Sequence, residues 1–331
     1  MNVSGAPPRR RLASGRDVAM VPYIFVMVIV AWVTPERWCA PLCRMISRIV
    51  ARLRRTKTAA DERRLAALLG ETLAPRTVSI HESLIANSHL RNLYYLRVLR
   101  PGGWHPRVEL TGLEHIKSAI EAGRGAVVWG AQMVFGDLVT KIALARAGFP
   151  LSHLSTFGHG FSSTRFGGKV LNPLATVAEE RYLKARWVMA PGSSGEALRE
   201  MTRRAREKEI ISISAVSARG HRTFASPLLG GTAEVATGAP LIARRTGAAL
   251  LPVFTTRRDD GSFLTEVEQE IVVASDEDRT VALRRAVEEY VGRLARHVAK
   301  VPDQYAWLAG DRLRGADAYA DAPAQRADPK R

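Results

Sequence analysis

From Val18 to Val33 the chain is apolar almost without interruption, with Pro22 inside the run. Beyond it the pattern turns helical: residues 44–100 predict mostly helix, with Asp61 to Leu69 rich in Arg, Leu and Ala and Ser83 to Leu99 carrying apolar positions at helical spacing. Pro101-Gly102-Gly103 breaks that pattern and marks a boundary. From Val108 onward short apolar runs alternate with amphipathic stretches. Strands are predicted at Ala126 to Gly130, Leu151 to Thr156, Trp187 to Ala190, Ile210 to Ala215 and Ala249 to Thr256. Helices are predicted at Leu113 to Ala122, Asp137 to Ala147, Leu174 to Ala185, Gly195 to Glu207, Ala236 to Thr246 and Thr280 to Lys300. Such alternation predicts an α/β fold, a mainly parallel central sheet flanked by helices, with its sites at the carboxyl ends of the strands.

The expected organisation is a basic tail over 1–17, an apolar anchor and helical region over 18–100, an α/β domain over 101–310, and a disordered tail over 311–331 in which Ala, Asp, Pro and Arg follow no period. With 46% hydrophobic and 24% charged residues the composition is that of an ordinary globular protein. Its net charge of +17 is more informative, because residues 1–64 hold 13 Lys plus Arg against 4 Asp plus Glu. A basic segment attracts nucleic acid or anionic lipid alike. The apolar run decides between them. Arg9, Arg10, Arg11 and Arg16 precede it, Arg37, Arg44, Arg48 and Arg52 follow it, and no nucleic-acid motif accompanies it, so the expected partner is an anionic membrane surface and no nucleic acid.

Sixteen helical residues reach about 24 Å, short of the roughly 30 Å of a hydrocarbon core. The run therefore reads as a short or partly inserted anchor, with Val18, Tyr23, Phe25, Trp32 and Trp38 as its membrane-facing residues. A signal peptide is the rival reading, but no small-x-small cleavage site follows. Both flanks are basic, and a helix lying in the cytoplasmic leaflet satisfies both, which places the protein on the membrane, at the cytoplasmic face of the inner (plasma) membrane. Cys39 and Cys43, one helical turn apart, are too few for a metal site or a disulfide scaffold; they read as small packing residues, with juxtamembrane acylation as the alternative.

The candidate chemistry lies in Gly130-Ala-Gln-Met-Val-Phe-Gly-Asp137, just past a predicted strand end. Two further blocks accompany it. One runs from Thr237-Gly-Ala-Pro through Leu251-Pro-Val-Phe to Arg257 and Asp260-Gly261; the other is Val301-Pro-Asp-Gln-Tyr-Ala-Trp-Leu308. In this order and spacing, together with the strand opening at Gly123, they resemble the lipid A biosynthesis lauroyl/myristoyl acyltransferase family of the lysophospholipid acyltransferase superfamily, over roughly residues 15–310. The resemblance implies transfer of a fatty acyl group from an acyl carrier protein or coenzyme A thioester to a hydroxyl of a membrane lipid or glycolipid, with no cofactor and no metal.

It also implies a His at position 132, paired with the carboxylate of Asp137. Here Gln132 stands in that place, and none of the eight histidines has an acidic residue five positions on. A His held by a carboxylate removes a hydroxyl proton well; Gln has nothing to titrate, although its amide could donate to Asp137 while its carbonyl accepts from the substrate hydroxyl. The second acidic position of the family is also missing, since Ile210 to Arg219 contains no Asp or Glu. Two readings stay open: an acyltransferase, or a catalytically impaired member that binds acyl lipid or partners an active membrane enzyme. His153 and His159 could supply a substitute base, although a loop histidine is more often merely solvated. Arg165, Lys169, Arg186 and Arg257 are candidate partners for substrate phosphates, and Gly230-Gly231 with Gly238 offers backbone amides to an anion. Each also has a plainer reading, as a solvated Arg or Lys or a turn glycine.

Overall fold

The computed structural model describes residues 12–156, 159–162, 164–189, 194–215, 222–309 and 313–315. Four long helices come first: α1 (Gly15–Val33), α2 (Glu36–Leu53), α3 (Arg55–Leu73) and α4 (Thr77–Leu99). A capping box starts α1: Ser14 Oγ accepts from Asp17 N–H, and the Asp17 carboxylate accepts from Ser14 N–H at 2.7 Å. Its inward face, Ile24, Met27 and Ala31, packs on α4, whose Leu84, Leu90 and Leu93 are buried. At the other end Arg97 of α4 donates to the carbonyls of Ala31 at 3.1 Å and Thr34 at 2.7 Å, a buried cation at a helix C-terminus. Cys39 and Cys43 are free and buried under α4, the packing role.

The α/β portion then reads β1 (Val108–Thr111), α5 (Leu113–Glu121), β2 (Ala126–Gly130), α6 (Gly136–Arg146), β3 (Leu151–Thr156), α7 (Asn172–Glu180), β4 (Leu183–Met189), α8 (Ser194–Arg206) and β5 (Ile210–Ser214). It continues with β6 (Thr223–Leu228), β7 (Gly231–Ala236), α9 (Gly238–Thr246), β8 (Ala249–Arg257), β9 (Phe263–Val267), α10 (Arg279–Lys300) and β10 (Leu313–Gly315). Seven strands form one sheet in the order β1-β9-β8-β2-β5-β3-β4, parallel throughout except where β8 meets β9. Gly130 at the end of β2 stands level with Ser214 of β5 and Val253 of β8, which fixes one carboxyl edge. α10 covers one face, stacking Tyr290 on Trp129 with ring centroids 4.0 Å apart.

The mainly parallel sheet with flanking helices is as expected. A second, three-stranded antiparallel sheet, β10-β7-β6, was not. Along β6, β7, β1 and β9 the more buried positions alternate with the less buried, a period-two pattern interrupted in sequence by Ser226, Gly231 and Thr265 at inward places. The predicted helix over 174–185 ends early: Tyr182 N–H turns back onto Glu179 O, and β4 begins at Leu183 opposite Leu151. Gly230 belongs to the tight β6–β7 turn, donating to Leu68 O at 2.8 Å, with Ala67 O 2.5 Å from where a Cβ would stand. That close approach to α3, rather than an anion, accounts for Gly230.

Candidate functional site

A cavity of about 540 Å³ opens at the carboxyl edge of the sheet. Gln132 and Asp137 both line it, as do His153 to Thr156 of β3, Met189 of β4, Ile213 and Ser214 of β5, and Thr237 and Gly238 at the start of α9. Chain direction dictates this: each strand delivers its last residues, and the loop after them, to the same edge. Leu154, Phe161, Leu198, Leu241 and Trp307 give the wall an apolar component, and among the described residues Arg91 and Arg222 are its cations.

The turn carrying Gln132 is fixed by the chain's closing segment. Ala306 N–H donates to Gln132 O at 2.9 Å, Val134 N–H to Gln304 O at 2.7 Å, and Met133 bridges to Tyr305. Gln304 also accepts from Arg257 N–H at 2.7 Å and donates to Arg257 O at 2.8 Å. The three sequence blocks are thus one assembly around one turn. Asp137 lies in the first turn of α6, where a negative charge suits the helix dipole, but Phe135 rather than Asp137 is the cap residue. The side chains of Gln132 and Asp137 are both half-buried and, among the described residues, share no direct hydrogen bond.

Behind Asp137 lies a buried charge cluster. Lys141, one turn further along α6, donates to Glu179 Oε2 at 2.5 Å; Tyr95 OH and His159 Nε2 both reach Glu179 Oε1 at 2.7 Å. Glu179 is fully buried and Lys141 nearly so. Burial alone would raise the Glu179 carboxyl, but Lys141 and His159 outweigh it and hold the group well below the usual carboxylate range. Burial likewise pushes His159 down, yet Glu179, with Asp137 behind it, overrides that and raises it. His153, buried beside it with Ser212 Oγ 3.3 Å from Nδ1, is driven well below the ordinary histidine value by burial and then by Lys141.

Of the expected phosphate partners, only Gly238 lines the cavity. Arg186 sits beside it, donating to Ser155 Oγ and to Glu180 Oε1, each at 3.1 Å. Arg257 lies off the cavity: its backbone is clamped by Gln304 and its guanidinium is beside Tyr94. Arg165 and Lys169 are exposed and line no part of the cavity. Sequence reasoning missed Arg91 and Arg222, the cations that do so among the described residues, and the cluster partners Tyr95, Lys141 and Glu179. Lys141 left one readable signal, a lone charge inside the apolar stretch Leu138 to Ala145.

No individual characterised protein matches the sequence at a significant level. A family description does: that of the bacterial lipid A biosynthesis acyltransferases matches residues 12–313, from just before α1 to the start of the last strand. The resemblance carried by the three blocks is thereby borne out, and the chain belongs to the bacterial lipid A biosynthesis acyltransferase family, whose chemistry is acyl transfer in lipid biosynthesis.

Proposed function

We propose that the chain transfers a fatty acyl group from an acyl carrier protein or coenzyme A thioester to a hydroxyl of a lipid or glycolipid, at the surface of an anionic membrane. The observation that carries this reading is the cavity itself, where apolar side chains suited to an acyl chain adjoin Gln132, Asp137 and two arginines suited to an anionic headgroup or the donor's phosphates. Holding thioester and hydroxyl together already lowers the barrier, since proximity converts a bimolecular step into an effectively unimolecular one.

Membrane attachment is supported by the outer face of the first two helices. Val18, Val21, Phe25, Ile29 and Trp32 recur at helical spacing along α1 and are all exposed, and Trp38, Met45, Ile49 and Leu53 continue an apolar face on α2. Tyr23 does not belong to it. It turns toward α4, with its hydroxyl 2.8 Å from His89 Nδ1. Among the described residues no helix is long and apolar enough to cross a membrane; α1 packs its opposite face on α4, which is compatible with a helix lying in the interface.

The test is reconstitution with vesicles of membrane lipid extract and a donor labelled in the acyl chain. Label in a lipid product supports acyl transfer. Saturable retention of the donor without product favours the binding reading, which draws its weight from the absence of a titratable group at Gln132.

A further inference from the structure

Acyl transfer needs a group that removes the acceptor's proton, and Gln132 cannot do so. Asp137 is a lone carboxylate there, and among the described residues it has no hydrogen bond to a neighbouring base. The cavity wall supplies another candidate. His159 lines it, and Glu179, a carboxylate that only accepts, lies 2.7 Å from Nε2. The ring nitrogen facing an ionised carboxylate must carry the proton, so neutral His159 is the Nε2–H tautomer with its lone pair on Nδ1. Nδ1 has no hydrogen-bond partner among the described residues, so its lone pair is uncommitted.

Glu179 is in turn fixed by two other donors, Lys141 Nζ and Tyr95 OH, so the carboxylate orients the ring instead of following it. We propose that His159, oriented by Glu179, is the general base of acyl transfer in this chain, with Nδ1 as the accepting atom in place of any group at position 132. This rests on the acyl-transfer reading above.

In the reaction, Nδ1 takes the acceptor's hydroxyl proton as its oxygen bonds to the thioester carbonyl carbon, giving a tetrahedral oxyanion and an imidazolium. Collapse re-forms the carbonyl and breaks the carbon–sulfur bond; the departing thiolate takes the Nδ1 proton. Ester and thiol are the only products, and His159 returns to its neutral form. Glu179 stays ionised throughout and stabilises the imidazolium, while Asp137, facing the same space, adds a second negative charge. The other charged or titratable groups around the ring are Lys141 from α6, His153 from β3 and Tyr95 from α4. Lys141 disfavours the cation but is itself paired to Glu179.

The experiment compares native protein, His159→Gln, and His159→Gln with Gln132→His, measuring labelled acyl transfer against pH and donor concentration. A neutral base requires the native kcat to climb with pH through a single ionisation above about 6.5. His159→Gln is expected to lower kcat by about 10²- to 10⁴-fold, with KM for the thioester little changed and the acidic limb gone. Adding Gln132→His, which returns an imidazole to the neighbourhood of Asp137, should recover at least tenfold of the loss; the missing acidic limb of His159→Gln at unchanged KM is what a merely structural His159 would not produce. Native activity with an unaltered acidic limb in His159→Gln overturns the proposal while leaving acyl transfer standing. So does a defect confined to KM, or a loss that Gln132→His does not relieve. If the native protein itself makes no acylated product, the acyl-transfer reading falls first and this assignment falls with it.

Discussion

His153 and His159 face the same cavity with ring centroids 6.4 Å apart, yet their surroundings drive their proton affinities in opposite directions. Burial and then Lys141 keep His153 neutral, whereas Glu179 overrides burial to favour the His159 cation. A two-dimensional NMR titration is expected to show one of the two rings changing above pH 6.5 and the other still neutral well below it. The stability consequences are opposite in sign. The His159 contribution is fully present below its unfolded pKa of about 6.5 and is lost as pH rises through the higher folded value; the His153 contribution is present above about 6.5 and is lost as pH falls below it. Replacing His153 with Gln should therefore flatten the loss of stability on acidification, and His159→Gln should not. Parallel denaturation curves at several pH values check both.

The Lys141–Glu179 pair carries a second prediction. Neither side chain is appreciably exposed, so removing one partner strands a buried charge. Lys141→Met is expected to cost about 3–5 kcal/mol in chemical denaturation. Lys141→Met combined with Glu179→Leu should recover part of that, because no buried charge is stranded and the groups left without their acceptor, the Tyr95 hydroxyl and the His159 Nε2–H, are neutral. If the single and double variants are equally unstable, the charge pair is not what holds α6 to α7.

Asp17 makes a third. It is almost fully buried, caps α1, and accepts from Ser162 Oγ at 2.5 Å and Thr164 Oγ1 at 2.9 Å, in the segment just after His159. These hydrogen bonds, that from Ser162 foremost, hold its carboxyl down at about 2, so its contribution is complete above about 3.8 and is lost as pH falls toward 2. Asp17→Ala should lower the melting temperature and should increase hydrogen exchange at residues 159–164 more than in α10. Uniform loosening instead would mean that Asp17 serves only its helix.

How legible was this in sequence? The apolar strand β2 and the 3.6-residue helices showed themselves because their buried positions are mostly Val, Ile, Leu and Ala. Gln132, Asp137 and Gly238 could be placed because they follow a strand end or open a helix, where topology fixes position. The cluster around Glu179 could not, since α4, α6, α7 and the segment after β3 supply one side chain each and no linear spacing relates residues 95, 141, 159 and 179. The arginines failed for the converse reason. A chain with 49 Lys plus Arg offers many candidates, and only tertiary packing separates Arg91 and Arg222 from Arg165.

The last prediction concerns the apolar face. Phe25 and Trp38 are 67% and 57% exposed, on α1 and α2 respectively, and neither is needed to fill the interior. Inserting a large apolar side chain into the acyl region is worth about 1.5–3 kcal/mol, and each 1.4 kcal/mol is a factor of about ten in partitioning. Phe25→Ser with Trp38→Ser should therefore reduce vesicle binding by at least about tenfold while leaving the melting temperature of detergent-solubilised protein nearly unchanged. Raised salt should weaken only the part of binding that depends on the basic segment, because screening acts on charges and not on inserted apolar surface. Binding to anionic vesicles that survives the double substitution but vanishes in high salt would make the attachment electrostatic, and the apolar face would then need another occupant. Binding that resists salt and falls with the substitutions places α1 and α2 in the interface, with the cavity held at the membrane surface where a lipid hydroxyl can reach it.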